Sequence, residues 1–380
     1  YATDLRSKRD LTLSDLIDAL MGRDLQARSL ELTLVADLQR MAVEALAGQR
    51  GAVVALDPST GAVLAFVSTP SFDPNTIIGN DGTPAWDALS GNPAEPLKDR
   101  ASRESYPPGS TFKVITAAAA IESCIAGPDT TFANPTELEL PGSTAVIRNF
   151  AGSLCGDSDE VSLREAFRRS CNTVFGQLAM DLGGSRLVQQ AEAFGFNREI
   201  PFEWESLTGF FPSTGEFSAD LPAVAQSGLG QRDVQATPLL MAMVAATIAN
   251  GGEQMEPFMV TRIYDAAGGI VEKHEPSVWA TPVSPATADV VAGMMEQVVA
   301  SGTGTRAAVS GVRVAGKTGT AETEVSPPHA WFIGFAPLEN PSIALAVVVE
   351  EGGDAGESAT GGSVAAPIAQ QLFEYWLQRS

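Results

Sequence analysis

Positive charge is what this 380-residue chain has least of: 24 Lys and Arg stand against 46 Asp and Glu, a net charge of −22. So acidic a surface argues against nucleic acid and anionic membrane faces as partners, because both repel it. Lysine is scarce, with only Lys8, Lys98, Lys113, Lys273 and Lys317. Histidine is scarcer still, with only His274 and His329. Neither histidine stands in a recognisable nucleophile or triad motif, which argues against a Ser-His-Asp machine. No Cys/His cluster has zinc spacing, so neither a metal nor any other cofactor is expected. No apolar run is long enough to span a bilayer, and no signal-peptide pattern opens the chain. The chain begins at Tyr1 rather than methionine, and an upstream part is expected ahead of it.

Cysteine is also sparse. Cys124 continues the stripe Lys113, Ala117, Ala120 and reads as a core residue of one helix. Cys155 falls in a Gly/Ser/Asp loop and Cys171 in a break between two helical stretches. In an oxidising compartment those two are the pair to expect, and their bond would tether the segment around Ser170; three free thiols fit the sequence as well. The acidic stretches 157–160 and 350–354 read as solvated loops, with calcium binding as the other reading.

What is present is ample for a core. Hydrophobic residues make up 44%, and the length allows one large domain with an appendage, or two domains. Residues 1–31 are charged, with one short helix suggested around 11–20. They read as a linker or the tail of an upstream non-catalytic region, and 32–380 as the main domain. An amphipathic helix is expected within 32–48, then a hairpin of strands Gly51–Leu56 and Ala62–Ser68 around the turn Asp57-Pro58-Ser59-Thr60-Gly61. Loops are expected over 69–105 and 196–235. Helices are expected at Leu163–Arg169, Thr173–Leu182, Arg186–Phe194, Pro238–Asn250, Thr287–Val299 and Val364–Gln378. A small hairpin is expected over 260–273, and strands over 312–318, 330–336 and 342–349. Strands at both ends with helices between them imply an α+β plan, a sheet built from both termini beside a helical subdomain.

Three short motifs carry chemistry. In Pro107-Pro108-Gly109-Ser110-Thr111-Phe112-Lys113 the prolines and glycine stop whatever precedes, and an alanine-rich run follows. Ser110 would then open a buried helix with Lys113 three residues on, on the same face and within reach of the hydroxyl. The helix N-terminus and burial both favour a free amine that can take the serine proton. Alone, Ser-x-x-Lys is a weak signal and reads more readily as an N-cap beside a solvated lysine. Ser170-Cys171-Asn172 lies at a break between helices, where its first and third side chains could project together; alone it reads as an N-cap. Lys317-Thr318-Gly319-Thr320 ends an expected strand, and its glycine would let an acyl group approach closely. Two of the five lysines fall in these motifs.

In combination they say more. The order Ser-x-x-Lys, Ser-x-Asn, Lys-Thr-Gly resembles the signature set of penicillin-binding proteins and serine β-lactamases. From about Leu32 onward the chain is similar to the transpeptidase domain of class B penicillin-binding proteins, through the stretches 51–61, 106–113, 235–239, 249–252 and 316–322. Stretches 327–332 and 358–362 are most similar to the actinobacterial penicillin-binding protein A type. Leu32-Thr33-Leu34-Val35-Ala36-Asp37 departs from the commoner Thr-Ile-Asp form, far from the chemistry.

The resemblance implies an antiparallel sheet flanked by helices plus a helical subdomain. It implies a peptidoglycan D,D-transpeptidase, linked to growth or division, that cross-links stem peptides through a serine acyl-enzyme and is acylated by β-lactams. Ser110 would be the nucleophile and Lys113 its base. Ser170 would relay the proton, and Asn172 would hold the peptide and orient Lys113. Lys317, with Thr318, Gly319 and Thr320, would hold the terminal carboxylate, and the Ser110 and Thr320 N–H groups would form the oxyanion hole. Cell-wall synthesis and division proteins would be partners, and an N-terminal anchor would hold the domain on the extracytoplasmic face of the membrane. A D,D-carboxypeptidase, a β-lactamase or β-lactam sensor, and a non-enzymatic division scaffold are the alternatives. No glutamate stands in a clear deacylating-water motif after Ser170, which weighs against a class A β-lactamase.

Overall fold

The computed structural model describes residues 28–78, 82–217, 220–322 and 326–379. The helix expected around 11–20 lies outside them. A five-stranded antiparallel sheet organises the rest. Its strands are β1 (Gly51–Leu56), β2 (Val63–Thr69), β3 (Ala315–Ala321), β4 (His329–Ala336) and β5 (Ile343–Val349), in the order β3-β4-β5-β1-β2. The sheet thus joins both ends of the chain, and β3 is left as an edge. Seven helices matter here: α1 (Ala36–Leu46), α2 (Lys113–Glu122), α3 (Leu163–Arg169), α4 (Asn172–Leu182), α5 (Pro238–Ala249), α6 (Pro285–Ser301) and α7 (Ala366–Gln378).

Alternation along the strands sorts the core into two layers. Val53, Ala55, Phe332, Leu345 and Val347 face α1 and α7, where Leu38, Ala42, Leu372 and Phe373 meet them. Ala52, Val54, Trp331, Ile333, Ala346 and Val348 face the helical subdomain. Because both faces are covered, the middle strands are apolar throughout. Helix α5 (PLLMAMVAATIA) is apolar all round because it is enclosed on every side. Pro238 opens it, and the Thr237 hydroxyl accepts from the Leu240 N–H at 3.1 Å.

Several expectations need correction. The expected loop 69–105 contains a helix, Gly82–Ser90, and the loop 196–235 contains Leu221–Ser227. Both are short, and glycine or proline punctuates them. Ser29–Leu32, which falls for the most part in the stretch read as a linker or the tail of an upstream region, pairs with Val260–Tyr264, which also pairs with Ile270–Lys273. The ladder supplies backbone partners that a linker would lack. Cys124 is exposed, not core: α2 ends at Glu122, and Cys124 turns out of the stripe at φ 55°. Residues 157–160 are exposed, but Glu350 is buried among arginines rather than solvated.

Candidate active site

Ser110 stands one turn before α2, on a 3-10 turn spanning Gly109–Phe112 that runs directly into the helix. Gly109 takes φ 53°, the left-handed region that glycine enters without a Cβ penalty, and its N–H donates to the Gly230 carbonyl at 2.9 Å. Phe112 stacks on Phe211 below the turn. Ser110 is half-buried, while Lys113, three residues on, is fully buried.

The Lys113 ammonium is held from the other side. Its Nζ donates to the Ser170 carbonyl at 2.7 Å, to Asn172 Oδ1 at 2.7 Å and to Ser170 Oγ at 3.4 Å. The expected hydrogen bond to Ser110 is not among those that fix it; its donors are taken up by the Ser-x-Asn motif. Ser170 caps α3 in the left-handed conformation at φ 63°, unusual for a residue with a Cβ. The turn it makes before Asn172 opens α4 brings both side chains to Lys113. Disulfide Cys155–Cys171 crosses behind this turn.

Lys317 closes the group. Its Nζ donates to Ser170 Oγ at 2.8 Å and to the Thr318 carbonyl at 3.0 Å, so one hydroxyl lies between two buried lysines. Among the described residues neither lysine has a carboxylate partner. Burial, and after it the Lys317 charge, push Lys113 well below the usual lysine range; burial pushes Lys317 down to about 7.

Lys317 lies mid-strand in β3 rather than at a strand end. Alternation turns Lys317 and Gly319 toward the Ser110 turn. A side chain at Gly319 would come within 2.9 Å of the Pro108 carbonyl and of Thr111 Cγ2, so glycine is what lets strand and turn meet. Thr318, on the other face, shares a 2.6 Å hydrogen bond with Thr303, and Thr320 Oγ1 accepts from the Gly361 N–H at 3.3 Å.

One residue that sequence reasoning missed supports this arrangement. Cys171 gives α4 no side-chain cap. Asn149 supplies it from elsewhere in the chain: its Oδ1 accepts from the Asn172 N–H at 2.8 Å and the Thr173 N–H at 3.1 Å. The neighbouring Arg148 carbonyl accepts from Asn172 Nδ2 at 2.8 Å, which turns Asn172 Oδ1 toward Lys113. An Arg-Asn pair 23 residues upstream carries no local signal; only the missing cap at Cys171 hints that a partner must come from afar.

Residues 51–374 match the family described as the penicillin binding protein transpeptidase domain. The chain belongs to that family. It is 42% identical over 374 residues to the peptidoglycan D,D-transpeptidase PbpA of Mycolicibacterium smegmatis, covering 93% of this chain and 74% of the relative. The ceftriaxone acyl-enzyme complex of penicillin-binding protein A from M. tuberculosis superposes with a TM-score of 0.90 at 40% identity, covering 95% of this chain and 82% of that one. The penicillin G acyl-enzyme complex of the same protein gives a TM-score of 0.88 at 40% identity, covering 96% and 84%. The expected α+β penicillin-binding fold and the likeness to the penicillin-binding protein A type are both borne out. Among the described residues, no group of three or more His, Cys, Asp or Glu could hold a metal ion.

Proposed function

We propose that this chain is a serine-type peptidoglycan D,D-transpeptidase with Ser110 as nucleophile and residues 32–380 as its catalytic unit. The observation that carries the assignment of roles is a buried lysine, one turn from Ser110, held by Ser170 and Asn172 with no carboxylate partner among the described residues. Burial lowers the proton affinity of a lysine so placed, which suits it to act as a base.

Ser110 Oγ attacks the carbonyl carbon between the last two D-alanines of a stem peptide, and Lys113 takes its proton. The C–N bond then breaks. Ser170 passes the proton to the departing D-alanine amine, leaving an ester on Ser110. An amine of a second stem peptide attacks that ester; the new amide is the cross-link, and the proton returns to Ser110. Lys317, with Thr318, Gly319 and Thr320 along the free edge of β3, holds the terminal carboxylate, and that edge accepts the extended peptide as an added strand. The Ser110 and Thr320 N–H groups face the developing oxyanion. β-Lactams acylate the same serine.

The domain works on the extracytoplasmic face of the membrane, among cell-wall synthesis and division proteins. The Cys155–Cys171 disulfide suits that oxidising side. No helix among the described residues is long and apolar enough to cross a membrane; the anchor belongs to an N-terminal segment.

Labelled penicillin, followed by intact mass with and without Ser110→Ala, tests the reading. A Ser110-dependent adduct lasting hours is expected. Rapid release of hydrolysed drug, or an adduct that survives Ser110→Ala, would contradict it.

A further inference from the structure

Behind the Ser110 turn lies a second group of buried charges, which the reaction above leaves unused. Glu350 follows β5 directly. Its Oε1 accepts from the Tyr106 hydroxyl at 2.7 Å and from Arg100 Nε at 2.9 Å, and its Oε2 accepts from Arg50 Nε at 2.8 Å. Arg100 is fully buried, and the rest of its fork donates to the carbonyls of Glu95 at 3.0 Å and Ala94 at 3.3 Å. Three segments distant in sequence therefore meet on one carboxylate.

Tyr106 links this cluster to the site. It lies four residues before Ser110, and its backbone exchanges hydrogen bonds with Ala236 at 3.0 and 2.9 Å. Its ring meets Trp331 edge-on at 6.0 Å. The Trp331 indole donates to the Pro107 carbonyl at 3.1 Å, and Trp331 pairs with Gly319 across β3 and β4. Tyr106-Pro107 is thus gripped between Glu350 on one side and the partner of the Lys317 strand on the other.

A buried ion cluster is weak evidence for stability, since apolar side chains of equal volume often serve as well. What directed, charge-assisted hydrogen bonds fix is geometry. We propose that Glu350, with Arg100 and Tyr106, is a positioning cluster that sets how the Ser110 turn seats against the Lys317 strand. It acts on the acylation step and not on drug binding. None of the three touches the reacting atoms. The proposal rests on Ser110 being the nucleophile.

Stopped-flow acylation by penicillin separates the pre-covalent dissociation constant from the acylation rate constant. Tyr106→Phe keeps the ring packing and removes only the hydroxyl; Glu350→Gln keeps an acceptor oxygen and removes the charge. Each is expected to lower the acylation rate constant about tenfold, as small misplacements of a nucleophile do. The dissociation constant should stay within about twofold, and the double variant should fall short of the product of the singles. Leu372→Ala, on the far face of the sheet, should lower Tm and leave the acylation rate constant unchanged. The cluster is merely structural, and the proposal overturned, if Tyr106→Phe and Glu350→Gln lower Tm with wild-type acylation, or if Leu372→Ala slows acylation as much. A wild-type protein with no Ser110 adduct would overturn the functional reading itself, which separates the two failures.

Discussion

Among the described residues the molecule buries charge in two places, and it does so in opposite ways. Lys113 and Lys317 are sealed in with hydroxyl, amide and carbonyl oxygens and, among the described residues, no carboxylate. Glu350 is surrounded by Arg50, Arg100 and Tyr106. Desolvation favours the neutral amine and lowers both lysines from the ordinary range. For Glu350, burial alone would raise the carboxyl; the Tyr106 hydrogen bond and the two arginines outweigh it and hold the group below the usual carboxylate range. Burial makes one cluster reactive and the other fixed, and the presence of a partner decides which.

The sharpest break of that contrast is Lys113→Ala. It should slow penicillin acylation by roughly 10²- to 10⁴-fold, the range for loss of a general base, measured as adduct formation by intact mass. Next, Glu350→Leu removes the one carboxylate that Arg50 and Arg100 share, leaving them only the longer contacts to Glu351 at 3.4 Å and Glu95 at 3.9 Å, and should cost up to about 3 kcal/mol in urea unfolding. Lys317→Met should do the reverse at and below neutral pH, stabilising the fold by about 1 kcal/mol while acylation collapses, because it removes an amine that is costly to protonate where it is buried. An equal loss of stability in both variants would erase the distinction between the clusters.

Smaller effects follow from pH. For Lys317, the unfolded chain holds a proton that the folded chain has released between about pH 7 and the ordinary lysine value of about 10.4, so stability rises with pH across that window. For Glu350, stability is intact above about pH 4.3 and is lost as pH falls through its lower folded value. Urea midpoints against pH should show Lys317→Met flattening the alkaline limb and Glu350→Gln the acid limb. Smallest of all, Asn149→Ala should cost about 1 kcal/mol as a lost helix cap, with slower acylation as Asn172 loosens.

The sheet was legible because its strands are apolar and bounded by turns, and both termini supply them. Two of the three motifs were legible because lysine is so rare that Lys113 and Lys317 stand out, and Ser170-Cys171-Asn172 only because it falls in order between them. What escaped is tertiary. Nothing local says that Asn149 caps α4, or that Glu350, the first residue of an acidic run, turns inward to Arg100 while Asp354 stays outside. Cys124 misled because the stripe it continues outlasts the helix by two residues. Glycine and proline hid the short helices at Gly82–Ser90 and Leu221–Ser227.

The central claim is that Lys113, buried with no carboxylate partner among the described residues, is the base for Ser110. Its most direct test is the pH dependence of the acylation rate constant, measured with a β-lactam that does not itself titrate in the range. The account predicts a rate that rises on leaving acid and levels off well below the ordinary lysine range of about 10.4. A rate that keeps climbing through pH 10 would mean an ordinary, solvated lysine and would contradict it.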